Sequence, residues 1–278
     1  MNKKKCFLIA CLMVAMLSAW GRDGEQVYAF ACHDTVTAGI GEDTACPMFS
    51  VVKFPQALYV ARCLARDQRR LDETVLVRRR RLMTNTWSPM LEMMGRRQRF
   101  SYRQLLTLSL QQSDNNACEI LFSLFGSPSQ VEKFVKDLGI EGIAIGATER
   151  DMMEDRSRAL LNMASPRAMT ELLEWFYVHK DDDEYLAFVW QTMAACATGL
   201  GRIPAAVDAD DAVVHKTGTG FSTAQGITAL CDAGIVMHAD GSHSTVAVFL
   251  LGHKGDTPSG EEVIARTARE MMRLTIDN

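Results

Sequence analysis

Apolar positions follow two different patterns along this 278-residue chain. Near both ends they form short continuous stretches, whereas through the middle they recur every three or four residues. The short stretches predict strands at 27–32, 212–216, 227–237 and 244–251. The helical period predicts helices at 50–66, 101–112, 116–125, 130–138, 166–178 and 261–274. Capping sequences, Ser101 with Gln104 and Ser165 with Pro166, support two of the helix starts.

This order of elements predicts an α+β fold with two lobes. The first strand, the last three strands and the final helix would form an antiparallel sheet flanked by helices, from residues 22–44 plus 201–278. The helices between them would form an inserted all-helical lobe, residues 45–200. Because ligand clefts favour the junctions between such units, we expect a site in the groove between the lobes.

The first 21 residues have the three parts of a secretory signal peptide. Three lysines at 3–5 precede an apolar run at 6–19, and Ala19 and Gly21 supply small residues for cleavage. The apolar run is too short to span a bilayer, which takes about 20 residues. We therefore expect residues 22–278 to form a single periplasmic domain, with no membrane attachment once the signal is removed.

Composition narrows the range of partners. The net charge of −4 argues against a nucleic-acid partner, and the arginine run 78–81 is predicted to be a solvated surface turn. The six histidines lack the paired spacing of metal ligands, so neither a metal nor another cofactor is expected. Six cysteines follow residue 21, and their spacing leaves open whether they form disulfides or are buried thiols. We expect a monomer.

Three short motifs carry the candidate chemistry. They are Ser50-Val-Val-Lys53, Ser113-Asp-Asn115 and Lys216-Thr-Gly218. Singly, each has a structural interpretation, such as a helix cap or a polar turn. Together they supply a serine beside an amine base, a second serine and a cationic strand end. These groups are suited to acyl transfer through a covalent serine intermediate on an anionic substrate.

The sequences around these motifs resemble a known enzyme family. MFSVVKF (48–54), QSDNNACEIL (112–121) and VVHKTGTG (213–220) are similar to class A serine β-lactamases of the penicillin-recognising superfamily, most closely the cephalosporinase and extended-spectrum branch. The resemblance runs from about residue 25 to the C-terminus, and the 63-residue gap between Ser50 and Ser113 is close to the family's. It implies hydrolysis of a β-lactam amide, with cephalosporins as the favoured substrates.

The resemblance also implies roles for the motif residues. Ser50 would be the nucleophile, and Lys53 would take its proton. Ser113 would pass a proton to the leaving nitrogen, and Asn115 would orient Lys53 and the substrate's side-chain amide. The backbone N–H groups of Ser50 and Thr219 would stabilise the oxyanion.

Further residues are predicted to bind the substrate. Lys216, Thr217 and Thr219 would recognise a carboxylate, and Gly218 would let a flat substrate lie against the strand. Trp87 lies 26 residues before Ser113, where the family places an aromatic wall, although an ordinary partly buried tryptophan is an equal alternative. Thr198-Gly199 and Arg202 also resemble the branch, without a chemical role.

Glu149 is the candidate for freeing the acyl-enzyme. It lies 36 residues after Ser113 and 17 before Pro166, and the family's omega loop has both spacings; Glu141 and Glu154 match only in part. Met153 stands where many relatives have an asparagine that shares the hydrolytic water, and a thioether is a poor hydrogen-bond partner. Ala147 and Asn162 replace a common arginine–aspartate clamp, so we expect a loop held differently and slow or altered deacylation.

Two alternatives share the three motifs. A D,D-peptidase of the penicillin-binding kind would act on cell-wall peptides and form long-lived β-lactam adducts. A non-catalytic β-lactam-binding relative, such as a sensor, would bind without turnover. Neither requires a glutamate dedicated to deacylation, so Glu149 favours the hydrolase.

Overall fold

The computed structural model describes residues 24–277. Its strands are β1 Gln26–His33, β2 Val36–Ile40, β3 Cys46–Pro47, β4 Thr74–Arg78, β5 Arg97–Ser101, β6 Ile143–Ile145, β7 Asn162–Ala164, β8 Ala212–Thr219, β9 Ser222–Thr223, β10 Gly226–Met237 and β11 His243–His253. Its α-helices are α1 Lys53–Arg66, α2 Met90–Met93, α3 Tyr102–Gln111, α4 Asn115–Phe125, α5 Pro128–Asp137, α6 Glu149–Glu154, α7 Pro166–His179, α8 Glu184–Ala194 and α9 Thr257–Ile276. Short 3₁₀ turns cover Phe49–Val52, Arg79–Arg81, Arg156–Leu161 and Ile203–Ala206.

One antiparallel sheet organises the molecule. Its strand order is β2-β1-β11-β10-β8, and β9 adds to β10. Strand β8, which carries the Lys216 motif, is therefore an edge strand, paired on one side through registers such as Ala233 with Lys216. An edge strand leaves one row of backbone N–H and C=O groups available to another partner.

The two faces of this sheet are buried differently. Against the outer face packs the long helix α9, whose Ile264, Ala268 and Met271 are buried with Val246 and Val248 of β11. The inner face joins the main core, which is built largely from α1, α3, α4, α7 and α8. Burial of apolar surface on both faces fixes the sheet between two helical layers, an α+β arrangement.

Helix α1 lies at the centre of the helical layers. Residues such as Phe54, Leu58 and Leu64 are almost fully buried, so the helix has apolar contacts on most of its surface. It begins at Lys53, after the 3₁₀ turn, so Pro55 falls within its first turn. The proline therefore removes no intrahelical α-type hydrogen bond.

The sequence pattern predicted most of the larger elements. The capping box of Ser101 and Gln104 and the N-cap of Ser165 are both present. The pattern missed β2, the hairpin β4–β5 and helix α8. Segment α8 reads EYLAFVWQTMA, and its apolar residues lie all around the helix rather than on one face. The arginine run forms an exposed 3₁₀ turn, as expected of a solvated surface segment.

The predicted signal peptide, residues 1–21, lies outside the residues that the structure describes. Between residues 24 and 277, no helix combines the length and apolarity needed to cross a membrane. The six cysteines after residue 21 are all free thiols, and five of them are buried.

Candidate active site

The candidate residues line one cleft between strand β8 and the helical layers. Ser50 stands at its centre, with a pocket on each side. The loop-side pocket is lined by Phe49, Ser50, Asn85, Thr86, Asn115, Glu149, Met152, Met153, Arg156, Thr219 and Phe221. The strand-side pocket is lined by Ser50, Trp87, Ser113, Asn115, Ala197, Thr198, Gly199, Arg202, Thr217 and Thr219.

Ser50 is held in the 3₁₀ turn that leads into α1. The preceding residue, Phe49, has a φ of 44°, a left-handed conformation that is rare for an aromatic residue. Such a conformation costs on the order of 1–3 kcal/mol and persists only where surrounding contacts impose it. Here Phe49 packs edge-on against Phe221, at 5.5 Å between ring centroids. The side chain of Ser50 is consequently presented to the cleft from a fixed backbone.

Lys53 is the hub of the site. It is fully buried, and its Nζ lies 3.0 Å from Ser50 Oγ and 2.6 Å from Asn115 Oδ1. It also donates to the backbone oxygen of Ser113 at 2.9 Å and approaches the Ser113 hydroxyl at 3.3 Å. The fifth contact is an ion pair of 3.1 Å with Glu149 Oε1. One amine thus links every group predicted to move a proton.

Ser113 connects this hub to the strand. Its φ of 55° is a second left-handed value at a non-glycine residue in the cleft. Its hydroxyl accepts a hydrogen bond from Lys216 Nζ at 3.1 Å, so two lysines converge on it. The next residue, Asp114, is completely buried and caps α4 by accepting from Ala117 N. It also accepts from Ser88 and from Met90 N, which fixes the Ser113 loop.

Glu149 is the first residue of α6. Thr148 caps this helix in a reciprocal capping box with Asp151. The Glu149 side chain is 7% exposed, and its Oε1, apart from the Lys53 contact, receives no aligned hydrogen bond from the described part of the chain. A buried carboxylate in this state retains the capacity to accept a proton or a hydrogen bond from a molecule in the cleft.

The loop that carries Glu149 is held by Asn162. Its Oδ1 accepts from the backbone N–H groups of Gly146 and Ala147, each at 3.0 Å, and its Nδ2 donates to Ala147 O at 2.9 Å. The sequence had predicted a loop without a salt bridge here, held differently. The structure supplies three hydrogen bonds from one fully buried amide instead. Met153 is 38% exposed and lines the loop-side pocket with Glu149.

Lys216 is buried in β8 behind the strand-side pocket. Burial lowers the pKa of its ammonium to about 8. The ammonium donates to Thr217 O at 2.9 Å as well as to Ser113. The hydroxyls of Thr217 and Thr198 lie 2.6 Å apart and face this pocket together. A cation and two hydroxyl groups here can bind an anion such as a carboxylate.

Packing within the protein requires a glycine at position 218. This reason differs from the predicted one, the approach of a flat substrate to the strand. A Cβ at this position would lie 2.4 Å from Met48 O and 2.6 Å from Cys231 Sγ. It would also approach Ser50 N to 3.3 Å. The glycine therefore permits close contact between β8 and the turn bearing Ser50, on the interior side of the strand.

Arg202 supports the same strand and was given no role by sequence. It is 2% exposed and donates to Gly218 O at 2.9 Å, Cys231 O at 2.8 Å and Thr219 Oγ1 at 2.8 Å. Glu261 of α9 balances its charge at 3.1 Å. Its position directly before the terminal strands is the sequence feature that could have suggested this supporting role.

Trp87 forms the outer wall of the strand-side pocket. It is 63% exposed, and its indole N–H donates to Gln112 O at 2.8 Å. Its backbone oxygen accepts from Asn115 N at 3.1 Å. Trp87 is therefore an exposed tryptophan at the cleft rather than a partly buried core residue.

A buried cluster behind β8 has no counterpart in the sequence analysis. His215 Nδ1 lies 2.9 Å from Asp232 Oδ1, and the charge of its imidazole acts on the Cys196 thiol. Burial alone would lower the pKa of His215, but Asp232 raises it to about 10. Burial alone would raise the pKa of Cys196, but His215 and Lys216 lower it to about 7. Because Cys196 contacts Thr198, this charged cluster underlies the strand-side pocket.

Within the described range, no group of three or more His, Cys, Asp or Glu side chains is placed to hold a metal ion. The arrangement consists of a serine, two buried lysines, a buried carboxylate and a second serine. These features, on an antiparallel sheet between helical layers, define a class of α+β hydrolase with a serine–lysine cleft.

Comparison with known proteins identifies the family. The sequence model of the "Beta-lactamase enzyme family" matches residues 17–274. The chain is 32% identical to the extended-spectrum β-lactamase PER-1 of Pseudomonas aeruginosa over 225 residues, covering 80% of this chain and 73% of that protein. It is 31% identical to a β-lactamase of Phocaeicola vulgatus over 257 residues, covering 90% and 80%. The crystal structure of a β-lactamase from Chitinophaga pinensis superposes with a TM-score of 0.88 at 31% identity, covering 96% of this chain and 98% of that one.

The chain therefore belongs to the β-lactamase enzyme family. It is a class A β-lactamase, a hydrolase that acts on β-lactams, as the sequence resemblance implied. Its α+β fold is the fold of the solved class A enzymes.

Proposed function

We propose that this cleft hydrolyses the β-lactam amide through an acyl-enzyme on Ser50, with cephalosporins as the favoured substrates. The observation that carries the proposal is the contact of one buried amine, Lys53, with both the Ser50 hydroxyl and the Glu149 carboxylate. An amine and a carboxylate joined in this way can exchange a proton. Glu149 can therefore act in two steps, activating the nucleophile and activating water.

In the first step, Ser50 attacks the lactam carbonyl. Proton transfer from Lys53 to Glu149 across their 3.1 Å contact leaves a neutral amine, which accepts the Ser50 proton across 3.0 Å. The backbone N–H groups of Ser50 and Thr219 stabilise the oxyanion. Ser113 gives its proton to the lactam nitrogen as the ring opens, and Lys53 and Lys216, at 3.3 and 3.1 Å, are positioned to replace that proton.

In the second step, water attacks the Ser50 ester. Before water attacks, Lys53 gives a proton to Ser113 and takes back the proton that Glu149 held, so Glu149 is a carboxylate again. Glu149, which lines the same pocket as Ser50, then takes a proton from this water. The tetrahedral intermediate collapses, Ser50 recovers its proton from Lys53, and Glu149 returns the water's proton to Lys53. The acid product leaves and the cycle can repeat.

The substrate is oriented by its charge. Its ring carboxylate binds Lys216, Thr217 and Thr219 in the strand-side pocket, beside Thr198. Trp87 covers the outer side of this pocket. Asn115 lines both pockets and orients Lys53 together with the substrate's side-chain amide.

The cellular setting completes the proposal. Residues 1–21 act as a signal peptide, and residues 22–278 act in the periplasm as a monomeric catalytic domain. The sheet lobe comprises residues 22–44 plus 201–278, and the helical lobe residues 45–200. The D,D-peptidase and the non-catalytic relative are not favoured, since the identified relatives are β-lactamases.

A chromogenic cephalosporin tests this function directly. Wild-type protein is expected to convert many equivalents of substrate, and Ser50→Ala to convert none above the uncatalysed rate, because the acyl-enzyme cannot form. Both are followed by absorbance with enzyme below substrate. A single stoichiometric burst from the wild type would instead indicate a peptidase or a sensor. Circular dichroism of Ser50→Ala confirms that the fold is intact.

The pKa of Lys216 predicts the alkaline limb of activity. The ammonium binds the substrate carboxylate only while protonated, so kcat/KM should fall as pH rises through about 8. A bound carboxylate favours the charged form, so the corresponding limb of kcat should lie at higher pH. The effect therefore appears mainly as a rise in KM, measured between about pH 6 and pH 10. A KM that stays constant across this range contradicts the role of Lys216.

A further inference from the structure

Arg156 places a cation without a counter-ion in the loop-side pocket. It begins the 3₁₀ turn Arg156–Leu161 and is exposed. Its guanidinium carbon lies 4.9 Å from the centre of the Phe221 ring, a cation–π contact. No carboxylate in the described part of the chain forms an ion pair with it. A planar guanidinium held over a ring leaves its edge N–H groups available to a ligand.

Two of the three acidic residues just before Arg156 have other partners, and the third, Glu154, forms no ion pair with Arg156 in the described part of the chain. Asp155 accepts from Ser157 N at 2.9 Å and from Ser157 Oγ at 2.7 Å. Asp151 pairs with Arg158 at 2.7 Å. The free charge of Arg156 is thus a property of the folded loop.

The charge balance of the loop-side pocket follows from its lining. Only two lining residues are charged, Glu149 and Arg156. Glu149 is neutralised by Lys53 at 3.1 Å. The remaining lining side chains are neutral polar or apolar, so the pocket has one uncompensated positive charge at its outer side.

The orientation of the substrate in the cleft determines which of its groups lies near Arg156. Ser50 lines both pockets, and the ring carboxylate is assigned to the strand-side pocket. The acyl side chain on the other side of the lactam carbonyl must then enter the loop-side pocket. This step rests on the proposed function.

We propose that Arg156, supported by Phe221, is an anion subsite that selects β-lactams whose acyl side chain bears a carboxylate. The carboxylate would accept hydrogen bonds from the guanidinium edge while the apolar part of the side chain packs on Phe221 and Met153. A dianionic β-lactam would thus bind at two cationic points, Lys216 and Arg156, on opposite sides of Ser50.

A pair of cephalosporins that differ in one group tests the subsite. One carries a free carboxylate at the end of its acyl side chain, and the other carries the methyl ester of that carboxylate. The measured quantity is the ratio of kcat/KM for the acid to kcat/KM for the ester. Arg156→Gln should lower this ratio about two- to fivefold, the effect of one exposed ion pair. Arg156→Glu should lower it further, because it replaces attraction with repulsion.

Controls separate this subsite from general charge effects. Arg62→Gln removes the same charge from an exposed position on α1, outside both pockets, and should keep the wild-type ratio. Added salt should lower the ratio in the wild type and leave it nearly constant in Arg156→Gln. Equal ratios in wild type and Arg156→Gln, with both substrates hydrolysed, overturn the subsite alone. Failure to hydrolyse either substrate overturns the proposed function.

Discussion

Replacing Glu149 with glutamine is expected to trap the enzyme as a covalent adduct. The amide has nearly the same shape but cannot take a proton from water, so deacylation should slow on the order of 10³-fold. Acylation should slow as well, because Lys53 loses its proton acceptor, but it should slow less than deacylation, since Lys53 retains its contacts with Ser50 and Ser113. A burst of one equivalent should therefore precede a very slow steady state. With a cephalosporin that has no leaving group on its C3 substituent, intact-protein mass spectrometry should show a gain equal to the whole β-lactam, because opening the lactam then loses no atoms.

Glu154→Gln is the matched control for this experiment. It removes the same charge from the exposed end of the same helix, α6, and should leave both phases unchanged. If Glu149→Gln turns over like the wild type with no adduct, Glu149 is not the deacylating base. If it shows neither a burst nor an adduct, acylation depends fully on the proton transfer from Lys53 to Glu149.

The sequence could predict chemistry that is local in the chain. Ser50 and Lys53 are one helical turn apart, so their contact follows from geometry alone. The strand ending at Lys216 and its place beside β10 follow from the apolar pattern and the order of the strands. The family's spacing then pointed to Glu149, which lies against Lys53 in the fold.

What the sequence could not predict depends on packing between distant segments. Asn162 is 15 residues from the loop backbone that it holds. No sequence motif indicates that an amide side chain replaces the salt bridge there. The Cys196–His215–Asp232 cluster joins three segments whose side chains meet only after β8 and β10 pair. The left-handed φ of Ser113 likewise results from tertiary contacts, since serine has no intrinsic preference for it.

These supports explain how the cleft can keep strained residues in place. Phe49 and Ser113 each adopt a left-handed backbone next to reacting groups. Asp114 fixes the Ser113 loop by accepting hydrogen bonds from Ser88 and from two backbone N–H groups. Arg202 ties β8 to β10 by donating to Gly218 O and Cys231 O. Strain of this kind is retained only where neighbouring contacts over-determine the backbone. The catalytic groups are thereby positioned before substrate arrives, which lowers the cost of organising them during reaction.

Lys53→Met is expected to slow the acylation step strongly while leaving the fold in place. Methionine nearly matches the length of lysine and suits a fully buried position, but it cannot accept a proton from Ser50. General-base catalysis contributes about 10²–10⁴-fold, so the burst rate should fall by about that factor. The variant also leaves the buried Glu149 carboxylate without its counter-ion, which should lower stability as well.

A second variant separates these two effects of losing Lys53. Lys53→Met combined with Glu149→Gln removes the unpaired buried charge, so it should recover much of the lost melting temperature without recovering acylation. Stopped-flow absorbance with a chromogenic cephalosporin measures the burst, and thermal unfolding measures stability. Restored stability with a still-absent burst assigns Lys53 to the chemistry. A burst that returns with stability would show that Lys53 only holds the cleft together, and would contradict its role as the base.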